Sequence, residues 1–437
     1  MSERCGPPPP TAPPWPDRLE GLLRRARPLG AALLLAGVAL LAARALRHPE
    51  RGDTRFYREG ARRYWAGENL YYFAPLGSPP TGIRNNTSFT YPPPFAALSG
   101  WMLALPYPAV RVVWLVLGVA CAAASFALAW RLVAARAPPV RPHLAAVLCL
   151  GLLLRFAVND LAHGQVNWLL VLLLLGGLHR AERGHSLAGG ALVGAALSVK
   201  PTAWPLLALY AVGRRDLRFA GGALGCAGLL LGASLLRYGV HAPTLVRDWL
   251  ALMQGFAELS AQSPGNASLP GLFARLGAGL PRGEERWILL GKLDPRVALA
   301  WARGATLLLV LPCLGWLCLR RGRRPRAPAA ALVLGALASP VTWKAHLVVL
   351  VLPLAWLCSD VARHPQRRRG WLLLAALFAA LVLPSRALLH SEALDAYGAT
   401  TAGLLLCLGA LLASDEGGAD LSADAAAPRA PTGRPTP

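Results

Sequence analysis

The stretch LAGGALVGAALSVKPTAWPLLALYAV, residues 187–212, decides the fold. Read as one segment, it is a single apolar helix that crosses a membrane once. Read as two short helices, 187–199 and 203–212, it crosses twice, with a turn at Lys200-Pro201. Proline lacks a backbone N–H and pushes the residue before it out of helical geometry. A lysine inside an apolar helix is costly unless it lines a cavity. Which reading holds sets the side of the membrane for every residue downstream.

The basic connections make that choice. The segments 131–141, 179–185, 214–218, 320–326 and 363–369 are short and Arg-rich, the pattern of cytoplasmic loops. All five fall on one side only if the chain turns back at Lys200-Pro201. A second condition is that residues 91–108, with prolines at both ends and a short apolar middle, stay interfacial or re-entrant. Further apolar spans are expected near 28–46, 110–132, 143–159, 166–179, 218–236, 299–319, 328–339, 345–358, 371–384 and 397–413. The fold class is therefore an all-α polytopic membrane protein. Residues 1–27 are expected to be a Pro-rich, then basic, cytoplasmic tail, 28–413 the membrane domain and 414–437 a disordered cytoplasmic tail. Two extracytoplasmic loops are expected, at 47–109 and 237–298.

Composition agrees. Of 437 residues, 55% are hydrophobic and 15% charged, with a mean hydropathy of +0.42. Soluble domains carry roughly 25% charged residues. The net charge of +23 would ordinarily raise nucleic acid as a partner. Here the arginines sit in short loops between apolar segments, so the partner is the lipid bilayer and no nucleic acid is expected. Seven of the eight cysteines lie in or beside apolar spans and Cys5 in the N-terminal tail, without metal spacing, and read as small buried hydrophobes. No cleavable signal peptide is expected, because more than twenty residues of tail precede the first span.

This topology gathers five polar features on the outer face. The first is the Asp53 loop, with Tyr57, Tyr64, Trp65, Tyr71, Tyr72 and Tyr91. The others are Asn159-Asp160-Leu161-Ala162-His163-Gly164-Gln165-Val166-Asn167, Lys200-Pro201-Thr202, the long loop 237–297 and Ser339-Pro340-Val341-Thr342-Trp343-Lys344-Ala345-His346. An acid beside a membrane span marks a functional position, and Asp53 is that acid. It either pairs with Arg51 or Arg55, or serves chemistry. Asp160 either caps a turn or is a second acid, able to share a metal with Asp53. No set of acids and histidines has tight metal spacing, and no required metal is expected. Most of the loop aromatics read as interfacial anchors, with a minority free to stack on a ligand. The sequons at Asn85, Asn86 and Asn266 read as chance, because the Arg- and Ala-rich composition points to a bacterial source.

In the order Asp53…Tyr57, Gly67-x-x-Leu70-Tyr71, Tyr91-Pro92-Pro93, Gly164-Gln165-Val166-Asn167, Lys200-Pro201 and Ser339-Pro340-x-x-Trp343, the chain resembles glycosyltransferase family 87 over residues 50–360. The resemblance implies a GT-C membrane bundle of about 10–13 transmembrane helices in the plasma membrane, termini cytoplasmic. It implies transfer of a hexose, above all mannose, from a polyprenyl-phosphate sugar to a lipid-linked or cell-envelope glycan on the extracytoplasmic side. No cofactor is implied beyond that donor.

Under this reading Asp53 is the general base. Lys200, Lys344 and His346 meet the donor phosphate, with Arg84 a further cation. Gln165, Asn167, Asp160, Tyr57 and Tyr91 contact sugar or phosphate. One departure is visible: the family's Ser-Pro motif carries a His pair after its Trp, and here Lys344-Ala345-His346 follow Trp343. The alternatives are a transporter or flippase for lipid-linked sugars, which the broken helix at Lys200-Pro201 suits, and an inactive scaffold.

Overall fold

A computed structural model describes residues 15–48, 52–71, 89–282, 285–287, 290–384, 388–389 and 392–413. Arg51, Tyr72, Arg84, the sequons at Asn85 and Asn86, Cys5 and the C-terminal tail lie outside the described residues, as does most of the N-terminal tail. The described chain is helical: α1 (Trp15–Arg25), α2 (Arg27–Arg47), α3 (Thr54–Ala66), α4 (Pro93–Leu98), α5 (Tyr107–Ala134), α6 (Pro142–His163), α7 (Asn167–Glu182), α8 (Ser186–Val199) and α9 (Trp204–Ala208) come first. Then follow α10 (Leu217–Leu236), α11 (Ala242–Ala261), α12 (Leu269–Ala278), α13 (Pro295–Trp316), α14 (Ala327–Ala338), α15 (Val351–Arg363), α16 (Arg368–Leu381), α17 (Glu392–Ala396) and α18 (Ala399–Ala413). One short antiparallel ribbon, Leu280–Arg282 with Glu285–Trp287, interrupts this pattern.

Six helices among the described residues are long and apolar enough to cross a membrane, and the protein is a polytopic membrane protein. The count falls below 10–13 because several apolar helices are short, among them α8, α14 and α18. At 1.5 Å per residue, the 14 residues of α8 span roughly 21 Å, against a hydrocarbon core of about 30 Å. Residues 91–108 form α4 and a 3-10 turn at Ser99–Leu103, too short to cross.

The five basic connections meet at one end of the bundle. Glu182 accepts from Arg136 and, at 2.7 Å, from Arg214. Arg214 also donates to the Gly322 carbonyl at 3.1 Å, and Arg363 to the Ala137 carbonyl at 2.8 Å. From α1, Glu20 accepts from the N–H groups of His143 and Leu144, supplying the cap that α6 lacks from its own sequence.

Helix association in a membrane depends on close backbone approach rather than on hydrophobic transfer. The α8–α10 pair shows this. A Cβ on Gly190 would lie 2.0 Å from the Phe219 carbonyl oxygen, and one on Gly194 2.2 Å from that of Ala223. Gly194→Val is expected to force the helices apart and to cost roughly 1–3 kcal/mol, read as a lower melting temperature in detergent. The position of Lys200, which α8 carries, should shift with it.

Candidate active site

Opposite the basic end, the chain builds a cavity of about 970 Å³. Two glycines fix its acidic corner. Gly164 ends α6 at φ 62°, so the chain reverses there and Gln165 turns into the cavity while Val166 and Asn167 enter the core. The indole of Trp114 donates to the Gly164 carbonyl at 2.9 Å and holds this turn. Gly52 sits at φ 97°, and a Cβ there would lie 2.7 Å from the His163 carbonyl oxygen. Only glycine permits this approach, which lets Asp53 N–H donate to the same carbonyl at 2.8 Å.

Asp53 stands at the N-cap of α3, yet its carboxylate makes no capping bond. It lines the cavity and bonds with Gln165. Arg55, offered by the sequence as its partner, stacks over Phe56 at 4.3 Å. Burial pushes the Asp53 carboxyl above the ordinary carboxylate range, partly offset by His163, Lys200, Arg55 and the Gln165 bond.

A polar chain connects this corner to the cation. Asn167 Nδ2 donates to Gln165 Oε1 and Asp160 Oδ2, each at 2.8 Å. Lys200 Nζ donates to Asn167 Oδ1 at 3.1 Å and lies 2.7 Å from His346 Nε2. Lys200 thus points inward rather than out to the interface, and its ammonium lies 5.9 Å from the centre of the Tyr91 ring. Tyr57 and Tyr91 share a hydroxyl–hydroxyl bond of 3.2 Å, and Tyr71 donates to the Tyr91 carbonyl at 2.9 Å.

The structure thus brings Asp53, Tyr57, Tyr91, Gln165, Lys200 and His346 to one cavity. Asn167 and Asp160 stand just behind it. Asp160 is fully buried, with Oδ1 unpartnered, and holds Asn167 rather than the cavity wall. Lys344 is not in the wall: its ammonium pairs with Asp395, which also accepts from Thr400 at 2.9 Å. The aromatics correct the expectation of interfacial anchors. Tyr57, Tyr64, Tyr71 and Tyr91 are buried against one another and against Phe89, Phe95, Trp114 and Tyr238, and Trp65 alone of the described loop aromatics named above is half exposed. A loop with this many rings folds inward because they pack better on each other than on lipid headgroups.

Sequence reasoning missed the far wall. Trp249, Leu252, Met253, Phe256 and Leu259 of α11 line the cavity. Their spacing is that of one helix face, a signal present in the sequence. It also missed Asn266 as a structural residue. Asn266 is buried, so its sequon is not exposed. Its Nδ2 donates to the carbonyls of Ser260 (3.3 Å) and Pro340 (3.2 Å), and its Oδ1 accepts from Ser268 Oγ (2.8 Å) and Thr342 N–H (3.0 Å). One amide therefore ties α11 to the Ser339–Thr342 wall. Asn266→Ala leaves several buried groups unpaired, each worth roughly 1–3 kcal/mol. A clear drop in melting temperature is expected.

The floor combines a buried carboxylate, an amide pair, an ammonium–imidazole pair and phenols, beneath an apolar wall. Such a site suits a ligand with a polar head and an apolar part. Residues 89–342, more than half the chain, match the model of glycosyltransferase family 87. No curated protein and no solved structure matches the chain. The matched stretch contains Tyr91, Gln165, Asn167 and Lys200, while Asp53 and His346 join them through the contacts above. A multi-helix membrane body with this cavity, matched over that length, belongs to glycosyltransferase family 87 and is a membrane glycosyltransferase.

Proposed function

We propose that the protein transfers a hexose, mannose in the first instance, from a polyprenyl-phosphate sugar to a lipid-linked or cell-envelope glycan. The acceptor hydroxyl oxygen bonds to the anomeric carbon, the bond from that carbon to the phosphate oxygen breaks, and the hydroxyl proton passes to Asp53. Negative charge grows on the leaving phosphate, where Lys200 and His346 stabilise it. Gln165, Tyr57 and Tyr91 bind hydroxyls of the sugars, and Asn167 and Asp160 hold Lys200 in place. The apolar wall of α11 faces the lipid part of the substrates.

The observation that carries this reading is the common cavity of Asp53 and the Lys200–His346 pair, linked through Gln165 and Asn167. The cavity's size is at the upper end of small-molecule sites, about 300–1,000 Å³, which leaves room for donor and acceptor together. The cavity lies at one end of the bundle, which favours transfer over transport through a midplane site. The positive-inside rule supports a basic end, with both termini, in the cytoplasm and a cavity on the extracytoplasmic face.

The test is purified protein in liposomes with radiolabelled polyprenyl-phosphate mannose and a membrane glycolipid extract. Label should move from the lipid donor to the acceptor. Label moving only from a nucleotide sugar would overturn the donor assignment. Efflux of intact donor across the bilayer, without transfer, would return the reading to a flippase.

A further inference from the structure

A second cavity, of about 360 Å³, opens at the basic end, far along the bundle from the first. Arg131, Arg136 and Arg183 stand at it with His179 and Glu182, and Leu132, Leu178, Leu352 and Trp356 supply apolar lining. The charges do not balance. The single lining acid, Glu182, already bonds with Arg136 and Arg214. The neighbouring Arg326 and Arg363 are neutralised by Asp360, at 2.6 and 3.5 Å, and Arg326 also lies over the Trp356 ring at 5.2 Å. Arg131 and Arg183 form no ion pair among the described residues. Among the described residues the Arg183 side chain meets the His179 ring, at 3.5 Å.

The place matters as much as the charge. Arg131 lies in the last turn of α5, a candidate membrane span, and His179 and Arg183 at the end of α7. At the end of candidate spans the cleft sits near the level of lipid headgroups, with cations at its rim and the buried side chains of Leu178, Leu352 and Trp356 beneath them. Basic pockets between helices at this level bind anionic headgroups.

We propose that this cleft is a binding site for an acidic phospholipid, its phosphate held by Arg131 and Arg183 and its glycerol and upper acyl chain lying against Leu132, Leu178 and Trp356. Guanidinium groups suit the task, since each donates to two phosphate oxygens at once. The apolar floor favours a lipid over a soluble phosphate, which would make no contact with it.

The test uses the full-length protein in phosphatidylcholine nanodiscs and detergent, titrated with phosphatidylglycerol, additional phosphatidylcholine or inorganic phosphate. Bound lipid is read by native mass spectrometry. Phosphatidylglycerol should be retained selectively. Arg131→Gln with Arg183→Gln should weaken its binding roughly 25-fold, because each cation near an anionic headgroup is worth about fivefold. Both side chains are exposed, so the double variant should keep its elution profile and melting temperature in phosphatidylcholine. Equal retention of phosphatidylcholine, or unchanged phosphatidylglycerol binding in the double variant, would overturn the proposal. Displacement of phosphatidylglycerol by millimolar inorganic phosphate would reassign the cleft to a soluble anion and overturn it as well. Should the double variant misfold, Arg183→Lys provides the check: a retained charge without the planar fork should bind more weakly than wild type but more tightly than Arg183→Gln.

Discussion

Asp53→Asn is expected to lower sugar transfer by about 10²–10⁴-fold while the protein stays folded and binds its lipid donor. The size of the effect follows from chemistry: an amide cannot accept the proton of the attacking hydroxyl. The selectivity follows from structure. The Asp53 carboxylate makes no capping bond to α3, and the loop is held instead by the Asp53 N–H to His163 carbonyl bond, which an asparagine keeps. Elution volume and melting temperature in detergent should therefore match wild type.

The pH profile gives a second readout. Burial raises the Asp53 carboxyl, so the group is protonated over a wider acidic range than an ordinary aspartate, whose value is about 3.9. The base form is present above the raised value and lost as pH falls through it. kcat/KM should therefore fall on the acid side, with its midpoint above the ordinary carboxylate range. The residual activity of Asp53→Asn should lack this limb. An acid limb that persists unchanged in Asp53→Asn would assign it to another group and remove Asp53 as base.

Much of this architecture was legible in the sequence because membrane spans carry an unusually strong signal. The expected span 143–159 is α6 (Pro142–His163), 166–179 is α7, 187–199 is α8 and 218–236 is α10, each within a few residues. The turn at Lys200-Pro201 was legible because a cation and a proline together cannot continue an apolar helix. What stayed hidden depends on contacts between residues far apart in the chain. Lys344 looked like a cavity cation by its neighbourhood in sequence, but its partner, Asp395, lies 51 positions away. Around that acid collect two further cations, of which Arg275 is fully buried. Arg155 lies 3.7 Å from Asp395 and donates to the Leu381 and Pro384 carbonyls, and Arg275 donates to those of Ser263, Asn266 and Ala396. No local pattern announces such a cluster. The tyrosines of the Asp53 loop were misread for a related reason: composition shows that a segment is aromatic, not which rings face inward.

Lys200→Met should reduce kcat by about 10²–10³-fold, the scale of losing one donor aimed at developing charge. The same substitution also removes structure, and the two effects must be separated. Lys200 satisfies Asn167 Oδ1 and lies against His346 Nε2, and through Asn167 it is linked to the buried Asp160. Without the ammonium, Asn167 Oδ1 loses its donor and the buried Asp160 its cationic neighbour, and buried polar groups left unsatisfied cost roughly 1–3 kcal/mol each. A large drop in melting temperature is therefore expected in Lys200→Met alone. Asp160→Asn in the same chain replaces the buried acid with a neutral amide, keeps an acceptor for Asn167, and should recover most of the stability. Transfer should not recover, because no cation remains beside the leaving phosphate. This asymmetry is the decisive feature, since residues in one network do not act additively and the pair must be measured together. If transfer returned along with stability in Lys200→Met/Asp160→Asn, Lys200 would be a structural counter-ion, and the charge on the phosphate would have to be met by His346 alone.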